Sequence, residues 1–203
     1  MWEHWVELDL GHLENFAETL ETLLAAEQKQ FDAWAAEEAS TLPKEKQEEF
    51  YDIQSDQYWL LSDVFPNILR QSFFVTCYSL LESRLLNLCI HIKKEKNLGI
   101  GYNHLKDKGI FAAQTYLKKV AGISFPDQNL PWQEVLVYNR IRNIIVHDYG
   151  KVDPQDEKIH DFIKRKKWIR IDNIREIKLL NGFHTEVIGT LRGFVTDLIN
   201  AIP

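Results

Sequence analysis

The sequence is poor in cysteine, with only Cys77 and Cys89 among its 203 residues. Both fall within one predicted helix, where their separation along the axis is about 18 Å. That distance is too large for a disulfide within one chain, so both thiols are expected to be buried and free. Free thiols are typical of a reducing compartment, and we expect a cytoplasmic protein.

Long apolar runs and several site motifs are also missing from the sequence. No window of about 18 uncharged apolar residues predicts a membrane span, and the start MWEHW lacks the charge and hydropathy pattern of a signal peptide. The histidines and cysteines lack metal-ligand spacing, and no Gly-rich phosphate loop or Gly-x-Ser-x-Gly elbow is present. The sequence therefore gives no support to a zinc site, P-loop hydrolysis or serine hydrolase chemistry, and we expect no metal and no cofactor.

The residues that are present predict a folded, mostly helical chain. Apolar residues make up 45% and aromatic residues 12% of the sequence, enough for one domain with a sizeable core or for a domain with a helical extension. Apolar side chains recur close to every 3.6 residues along most of the chain. The predicted helices cover residues 3–38, 43–61, 63–96, 102–120 (in one or two pieces, broken near Gly109), 130–147, 154–164 and 182–199. A small β-hairpin is predicted from residues 168–171 and 174–179 around Asp172-Asn173.

Charge divides the chain into two parts. Residues 1–63 hold sixteen acidic residues and three lysines, whereas residues 64–203 hold fourteen acidic and twenty-one basic residues. The net charges are thus −13 and +7. We expect residues 1–63 to form an acidic helical hairpin packed on a helical domain of residues 64–203. A cationic domain is compatible with nucleic-acid contact. The hairpin is either plainly solvated or serves to repel misplaced RNA.

One helix carries the residues with the clearest chemical pattern. In the run VYNRIRNIIVHDYG, spacings of three and four residues place Arg140, Asn143 and His147 on one stripe, and Arg142 lies about 100° away. A cation, a carboxamide and an imidazole are thus gathered at a helix end. Metal-free phosphodiester cleavage needs a proton carrier and a fixed positive charge. The structural alternative is an ordinary helix end, where His147 interacts with the last carbonyls and Arg142 is a solvated charge.

The same residues resemble the signature of the HEPN superfamily, an Arg followed four to six residues later by His. Here Arg142 and His147 have four residues between them, and the polar Asn143 follows the Arg directly. His147-Asp148-Tyr149 is similar to the Arg-x4-His-x-Tyr variant of HEPN toxins. Many members of this family are metal-independent endoribonucleases in toxin–antitoxin and antiviral systems. The resemblance covers about residues 64–200 and implies an all-α, up-and-down helical bundle, with residues 1–63 and the β-hairpin as departures.

The resemblance implies roles for several residues. His147 would act as general base or acid, Arg142 would stabilise the phosphorane, and Asn143 would bind the phosphate or hold the imidazole. An acidic residue such as Glu82 often faces this motif in HEPN proteins, although Glu82 could equally be a surface residue near Arg84. Tyr149 would be a candidate for modification by a partner enzyme, or its ring would simply pack at the helix end.

A basic run suggests a further nucleic-acid contact. Lys164, Arg165, Lys166, Lys167 and Arg170 surround Trp168 and could grip a phosphate backbone while Trp168 stacks a base. The alternative is a solvated basic surface.

The leading hypothesis is an endoribonuclease that acts as a toxin or antiviral effector. It would cleave RNA by attack of the 2′-hydroxyl, with Arg142 and His147 of two chains lining one cleft in a homodimer. An antitoxin or regulatory protein would be a further partner. The alternative is a non-catalytic HEPN-like helical dimer that binds a partner protein or nucleic acid.

Overall fold

The computed structural model describes residues 2–202, and within this range the chain is mostly helical. The expected all-α class is confirmed, and the only sheet in the described range is a two-stranded one. The elements are α1 (Trp2–Thr41), α2 (Lys44–Trp59), α3 (Phe65–Glu95), α4 (Gly109–Thr115), α5 (Leu130–His147), α6 (Glu157–Lys164), β1 (Ile169–Ile171), β2 (Ile177–Leu179) and α7 (Phe183–Asn200).

The second and third predicted helices form one continuous helical run. A π-helical turn, Leu60–Val64, joins α2 to α3 directly. Pro66 was expected to open a new helix, and it does lie in the first turn of α3. The wider π turn immediately before it accommodates a residue that cannot donate a backbone hydrogen bond, so the chain continues without a loop.

The core forms where α3, α5 and α7 pack together, and α1 covers the bundle from one side. The buried face of α3 contains Cys77 and Cys89, both free as expected. Aromatic side chains fill the centre, with Phe74 edge-on to Tyr138 at 5.5 Å and Trp132 tilted against Phe194 at 4.9 Å between ring centres. A dense aromatic core of this kind fixes the orientation of α5, which carries the motif.

The first half of α1 is fastened to the bundle, whereas the second half projects from it. Arginines of α3 and α7 hold the first half through ion pairs, namely Arg84 with Asp9, Arg70 with Glu21, and Arg192 with Glu7 and Glu14. Beyond that point the last half of α1 packs mainly on α2, which has no buried residue of its own. We call residues 22–59 the acidic arm. It is the later part of the acidic hairpin that the sequence predicted for residues 1–63.

Smaller elements complete the side of the bundle next to α5. Residues 102–120 form a short 3₁₀ turn (Tyr102–His104), α4 and a π-helical turn (Tyr116–Val120), so the expected break near Gly109 is present. Asp156 caps α6 by accepting a hydrogen bond from the Ile159 amide at 3.2 Å. The expected hairpin is present with a shorter second strand, because the Asp172 carboxylate accepts hydrogen bonds from the amides of Ile174 and Glu176 and shapes the turn.

The continuous run 44–95 contains one 18-residue window that is long and apolar enough to cross a membrane, with a mean hydropathy of 1.3. About 44% of that window is buried within the fold. A core helix meets the same criteria of length and composition, so the window is weak evidence for a membrane span.

Candidate functional site

The motif helix α5 is fixed at both ends by local features of the sequence. Pro131 lies in its first turn, where a missing amide donor costs nothing, and Asn129 precedes it in an extended conformation. At the other end the amides of Asp148 and Gly150 both donate to the Ile144 carbonyl at 3.0 Å. Tyr149 and Gly150 adopt left-handed φ values of 54° and 74°, which stop the helix immediately after His147.

Arg142 is held against α3 without an acidic partner. Its guanidinium carbon lies 5.6 Å from the centre of the Tyr78 ring, and its Nη1 donates to Asn143 Oδ1 at 2.8 Å. Its Nε is buried and has no hydrogen-bond partner in the described part of the chain. In residues 2–202 no carboxylate lies within 4.0 Å of this cation, whereas the other half-buried arginines, Arg70, Arg84 and Arg192, are all paired with acids. Arg142 is therefore a positioned cation whose charge is not neutralised by the fold.

Tyr78 connects Arg142 to the core. Its hydroxyl donates to Asn139 Oδ1 at 2.7 Å. Burial is the main factor that raises the pKa of Tyr78, and the negative charge of Glu82 raises it further while Arg142 opposes both. The phenol consequently remains neutral and keeps its hydrogen bond throughout the physiological pH range. Neither Tyr78 nor Asn139 was predicted from the sequence to be part of the site. The one feature that pointed to Tyr78 is its position one helical turn before Glu82.

Glu82 faces the start of α4 as well as Tyr78. Its carboxylate packs so closely on Gly109 that a β-carbon there would approach Glu82 Oε2 to 3.2 Å. Gly109 also has a left-handed φ of 58°, so both space and backbone conformation favour glycine. Among the described residues Glu82 forms no ion pair with Arg142 or His147, and Arg84 pairs with Asp9 instead. Glu82 and Arg142 thus have Tyr78 as a common neighbour, and their charges act in opposite directions on its pKa.

His147 and Asn143 lie on more open surfaces of α5. His147 is exposed in the last turn. Asn143 is half-buried and lines two clefts, one of about 590 Å³ toward the start of α6 and one of about 840 Å³ between α5 and α6. The structure therefore brings Arg142 and Asn143 into contact, and it leaves the imidazole accessible beside them without a hydrogen-bond partner in residues 2–202.

Arg140 has a structural partner. It forms an ion pair with Asp156, whose carboxylate also caps α6 and has an exposed fraction of only 6%. The arginine side chain itself is half exposed, at 52%. It lies on the same stripe as Asn143, as expected, and joins α5 to α6.

Tyr149 projects into solvent, with 89% of its surface exposed. Its ring therefore does not pack at the helix end. Tyr149 is also unusual in its backbone, because the left-handed conformation costs free energy for residues other than glycine. The hydroxyl is accessible to a modifying enzyme.

The basic run lies at the junction of α6 and β1. Lys164, Arg165, Lys167 and Arg170 are exposed, whereas Lys166 pairs with Glu134 at 2.6 Å and covers the Phe162 ring. Trp168 is buried and stacks edge-on with Phe162 and Tyr138. It is thus unavailable to stack a base, contrary to the expectation from the sequence. In the sequence Trp168 stands among basic residues, and this pattern did not indicate that its side chain is buried.

An apolar groove flanks the motif on the side of α4 and α6. It is the larger of the two clefts that Asn143 lines, and its apolar wall includes the following side chains: Phe111, Leu130, Leu136, Val137 and Phe162. Phe111 and Leu130 are exposed by 42% and 71%. Ile141 and Ile144 of α5 are buried in the core. This groove is therefore an apolar surface next to the motif that a partner could contact.

In residues 2–202 no group of three or more His, Cys, Asp and Glu side chains is arranged to hold a metal ion. No protein-family model, curated protein or solved structure matches the chain.

Proposed function

We propose that the protein is a HEPN-like, metal-independent endoribonuclease that acts as a toxin or antiviral effector. The observation that carries the proposal is the half-buried Arg142 guanidinium, which has no acidic partner among the described residues and lies on the helix that ends at exposed His147. Charged groups in a protein interior are normally paired. An unneutralised cation next to an accessible imidazole therefore supports a site for an anionic, reactive group such as a phosphodiester.

In the proposed mechanism the RNA 2′-oxygen attacks the adjacent phosphorus while an imidazole removes its proton. The bond from phosphorus to the 5′-oxygen then breaks, and that oxygen leaves with a proton from an acid. The products are a 2′,3′-cyclic phosphate and a 5′-hydroxyl. Arg142 stabilises the charge on the phosphorane oxygens. Because Asn143 Oδ1 already accepts from Arg142, its amide N–H groups are the part that can bind phosphate.

A second copy of the chain would supply the missing acid or base. One motif contains one imidazole, whereas acid–base cleavage gains from two groups on opposite sides of the phosphate. The apolar groove next to Asn143 gives two-fold-related copies a surface to bury, so that both His147 side chains face one cleft. An antitoxin or regulatory protein would then act by blocking that cleft.

A second candidate function is supported by the acidic arm. It exposes Trp34, Tyr51, Tyr58 and Trp59 by 43–57% on a strongly acidic hairpin. Large exposed aromatic side chains are enriched where proteins bind one another. In this alternative the chain is a non-catalytic HEPN-like dimer that binds a partner protein or nucleic acid.

Cleavage of RNA by purified variants in a metal chelator separates the two functions. We expect the wild type to cleave, and His147→Ala and Arg142→Ala to lose at least about 100-fold in rate. Losses of this size are typical when a general acid or base, or an oxyanion donor, is removed. His91→Ala is the matched control, because His91 is also an exposed helical histidine and pairs only with Glu95 on its own helix. Equal cleavage by all four proteins, or cleavage only with added metal, contradicts the nuclease proposal.

A further inference from the structure

A cleft of about 440 Å³ lies at the N-terminus of α7, beside the basic run. Its walls come from the segment that joins α6 to β1, the turn before α7 and the first turn of α7. The residues that line it are Arg165, Lys166, Lys167, Trp168, Asn181, Gly182 and Glu186. Lys166 is paired with Glu134, so two cations, Arg165 and Lys167, face one acid. The 590 Å³ cleft beside Asn143 is lined by three basic and three acidic side chains. Charge therefore favours an anion at α7 over one at the start of α6.

The first turn of α7 adds backbone donors to this cleft. Gly182 precedes the helix with a left-handed φ of 82° and has no side chain to cap it. The amides of the first turn therefore lack a side-chain acceptor, and the helix dipole places partial positive charge at the same point. Oxyanions bind readily at such a helix start.

Trp168 supplies an independent sign of a missing ligand. Trp168 lines the cleft, yet only 4% of its surface is exposed, and among the described residues its indole N–H has no hydrogen-bond partner. A buried donor without an acceptor costs about 1–3 kcal/mol. An acceptor that enters the cleft would remove that cost after a small shift of the wall.

We propose that this cleft binds a phosphate group, with Arg165 and Lys167 as the ion-pairing side chains. Both are exposed, and Arg165 donates only to a backbone carbonyl of its own helix, at Asp161. Lys166 is already engaged with Glu134 and has a structural role. The assignment of the phosphate to an RNA backbone rests on the proposed function. The phosphate of a free nucleotide has the same chemistry.

The position of the cleft is suitable for binding a phosphate of the RNA other than the one that is cleaved. It shares Arg165 and Lys166 with the apolar groove that reaches Asn143. A strand held at α7 would thus lie at the rim of the surface that carries the motif. Phosphate contacts of this kind position a strand without reading its sequence.

The test is binding of a fluorescent oligonucleotide with 2′-O-methyl riboses, measured by anisotropy at several salt concentrations. The methyl groups block attack by the 2′-oxygen, so binding is measured without cleavage. We expect Arg165→Gln with Lys167→Gln to weaken binding by at least 10-fold and to lower the slope of log affinity against log salt by about 0.7 for each lost contact. Glu186→Gln should strengthen binding. Lys94→Gln is the matched control, because Lys94 is an exposed lysine at the end of α3, outside the basic run, and does not line the cleft.

The indole region of a ¹H–¹⁵N spectrum gives a direct readout at the site. The six tryptophans give six indole peaks, and Trp168→Phe identifies one of them. The proposal predicts that the Trp168 peak shifts when the oligonucleotide is added. Unchanged binding in the double variant together with an unmoved Trp168 peak overturns it.

Titration with adenosine monophosphate and with inorganic phosphate distinguishes the two sources of phosphate. A Trp168 shift at micromolar nucleotide, with no effect of the double variant on oligonucleotide binding, assigns the site to a free nucleotide and overturns the RNA assignment. Binding and cleavage also separate the two proposals. An oligonucleotide that binds at α7 without any RNA cleavage contradicts only the nuclease proposal.

Discussion

The guanidinium of Arg142 lies on the ring of Tyr78, with 5.6 Å between the guanidinium carbon and the ring centre. The Tyr78 hydroxyl in turn donates to Asn139, one helical turn before Asn143 on α5. Arg142 is therefore positioned by the ring of Tyr78 and the carboxamide of Asn143, and neither group neutralises its charge. A carboxylate in the same place would reduce the attraction of Arg142 for a phosphate.

Two substitutions of Tyr78 should distinguish the role of its ring from the role of its hydroxyl. Tyr78→Phe loses the bond to Asn139, which we expect to cost about 1 kcal/mol in the free energy of unfolding, and it should retain RNA cleavage. Tyr78→Leu removes the surface on which Arg142 lies, and we expect kcat to fall about 10- to 100-fold because the cation is misplaced. Urea unfolding and single-turnover cleavage measure the two effects. A Tyr78→Leu variant that is folded and fully active would show that the ring does not position Arg142.

Arg140 should behave differently from Arg142 although both lie on α5. Arg140→Gln leaves the Asp156 carboxylate, 6% exposed, without its ion-pair partner. We expect the free energy of unfolding to fall by about 1–3 kcal/mol while cleavage at saturating RNA is retained. Parallel urea unfolding and cleavage assays on the two variants check this. The assignment of Arg140 to structure is wrong if Arg140→Gln is as stable as wild type and inactive.

The buried thiols should make stability depend on alkaline pH. Burial raises the pKa of Cys77 and of Cys89 from 9.0 to about 12. Above pH 9 the unfolded chain therefore loses protons that the folded chain keeps, so stability falls as pH rises. Each thiol contributes a slope of about 1.4 kcal/mol per pH unit once its unfolded form is ionised.

The pH effect is measured by urea unfolding between about pH 8 and about pH 9.5, where the thiols of the unfolded chain ionise ahead of its tyrosines. Cys89→Ala should reduce the steepness of the decline, even if its absolute stability is lower. A flat profile in the wild type would indicate that the thiols are accessible to solvent. Rapid alkylation by iodoacetamide in native buffer would lead to the same conclusion.

Dimer formation should depend on the apolar groove. We expect a homodimer at micromolar concentration, and Phe111→Glu should yield monomers that cleave RNA poorly, since a charge would be buried in the interface. Ile53→Glu is the control, because Ile53 is an exposed apolar residue on the acidic arm, with 69% of its surface accessible. Light scattering measures both. A monomeric but active wild type excludes a composite site.

The sequence predicted the helices well because their apolar faces follow a regular period. The period placed α1, α3, α5 and α7 within a few residues of their observed ends, and the positions of His147 and Gly150 predicted where α5 stops. The continuity of α2 with α3 was not predicted, because a π turn leaves no distinct local pattern at Pro66.

The candidate site was predicted less completely, because its contacts join residues far apart in the chain. No local pattern showed that Tyr78 lies under Arg142, that Asp156 pairs with Arg140, or that Trp168 is buried between Tyr138 and Phe162. These contacts depend on how α3, α5 and α6 pack. The helical spacing of the motif was sufficient only to place Arg140, Asn143 and His147 on one side of α5.

The chemical ends of the RNA product show directly whether RNA is cut by attack of its own 2′-oxygen. RNA is incubated with wild-type protein and with His147→Ala in a metal chelator, and the product termini are identified by mass spectrometry. If His147 moves the proton in that reaction, the wild type yields 2′,3′-cyclic phosphate and 5′-hydroxyl ends, and His147→Ala yields no such products. Ends that carry a 5′-phosphate, which attack by water would produce, or cyclic phosphate ends that persist in His147→Ala would contradict this mechanism.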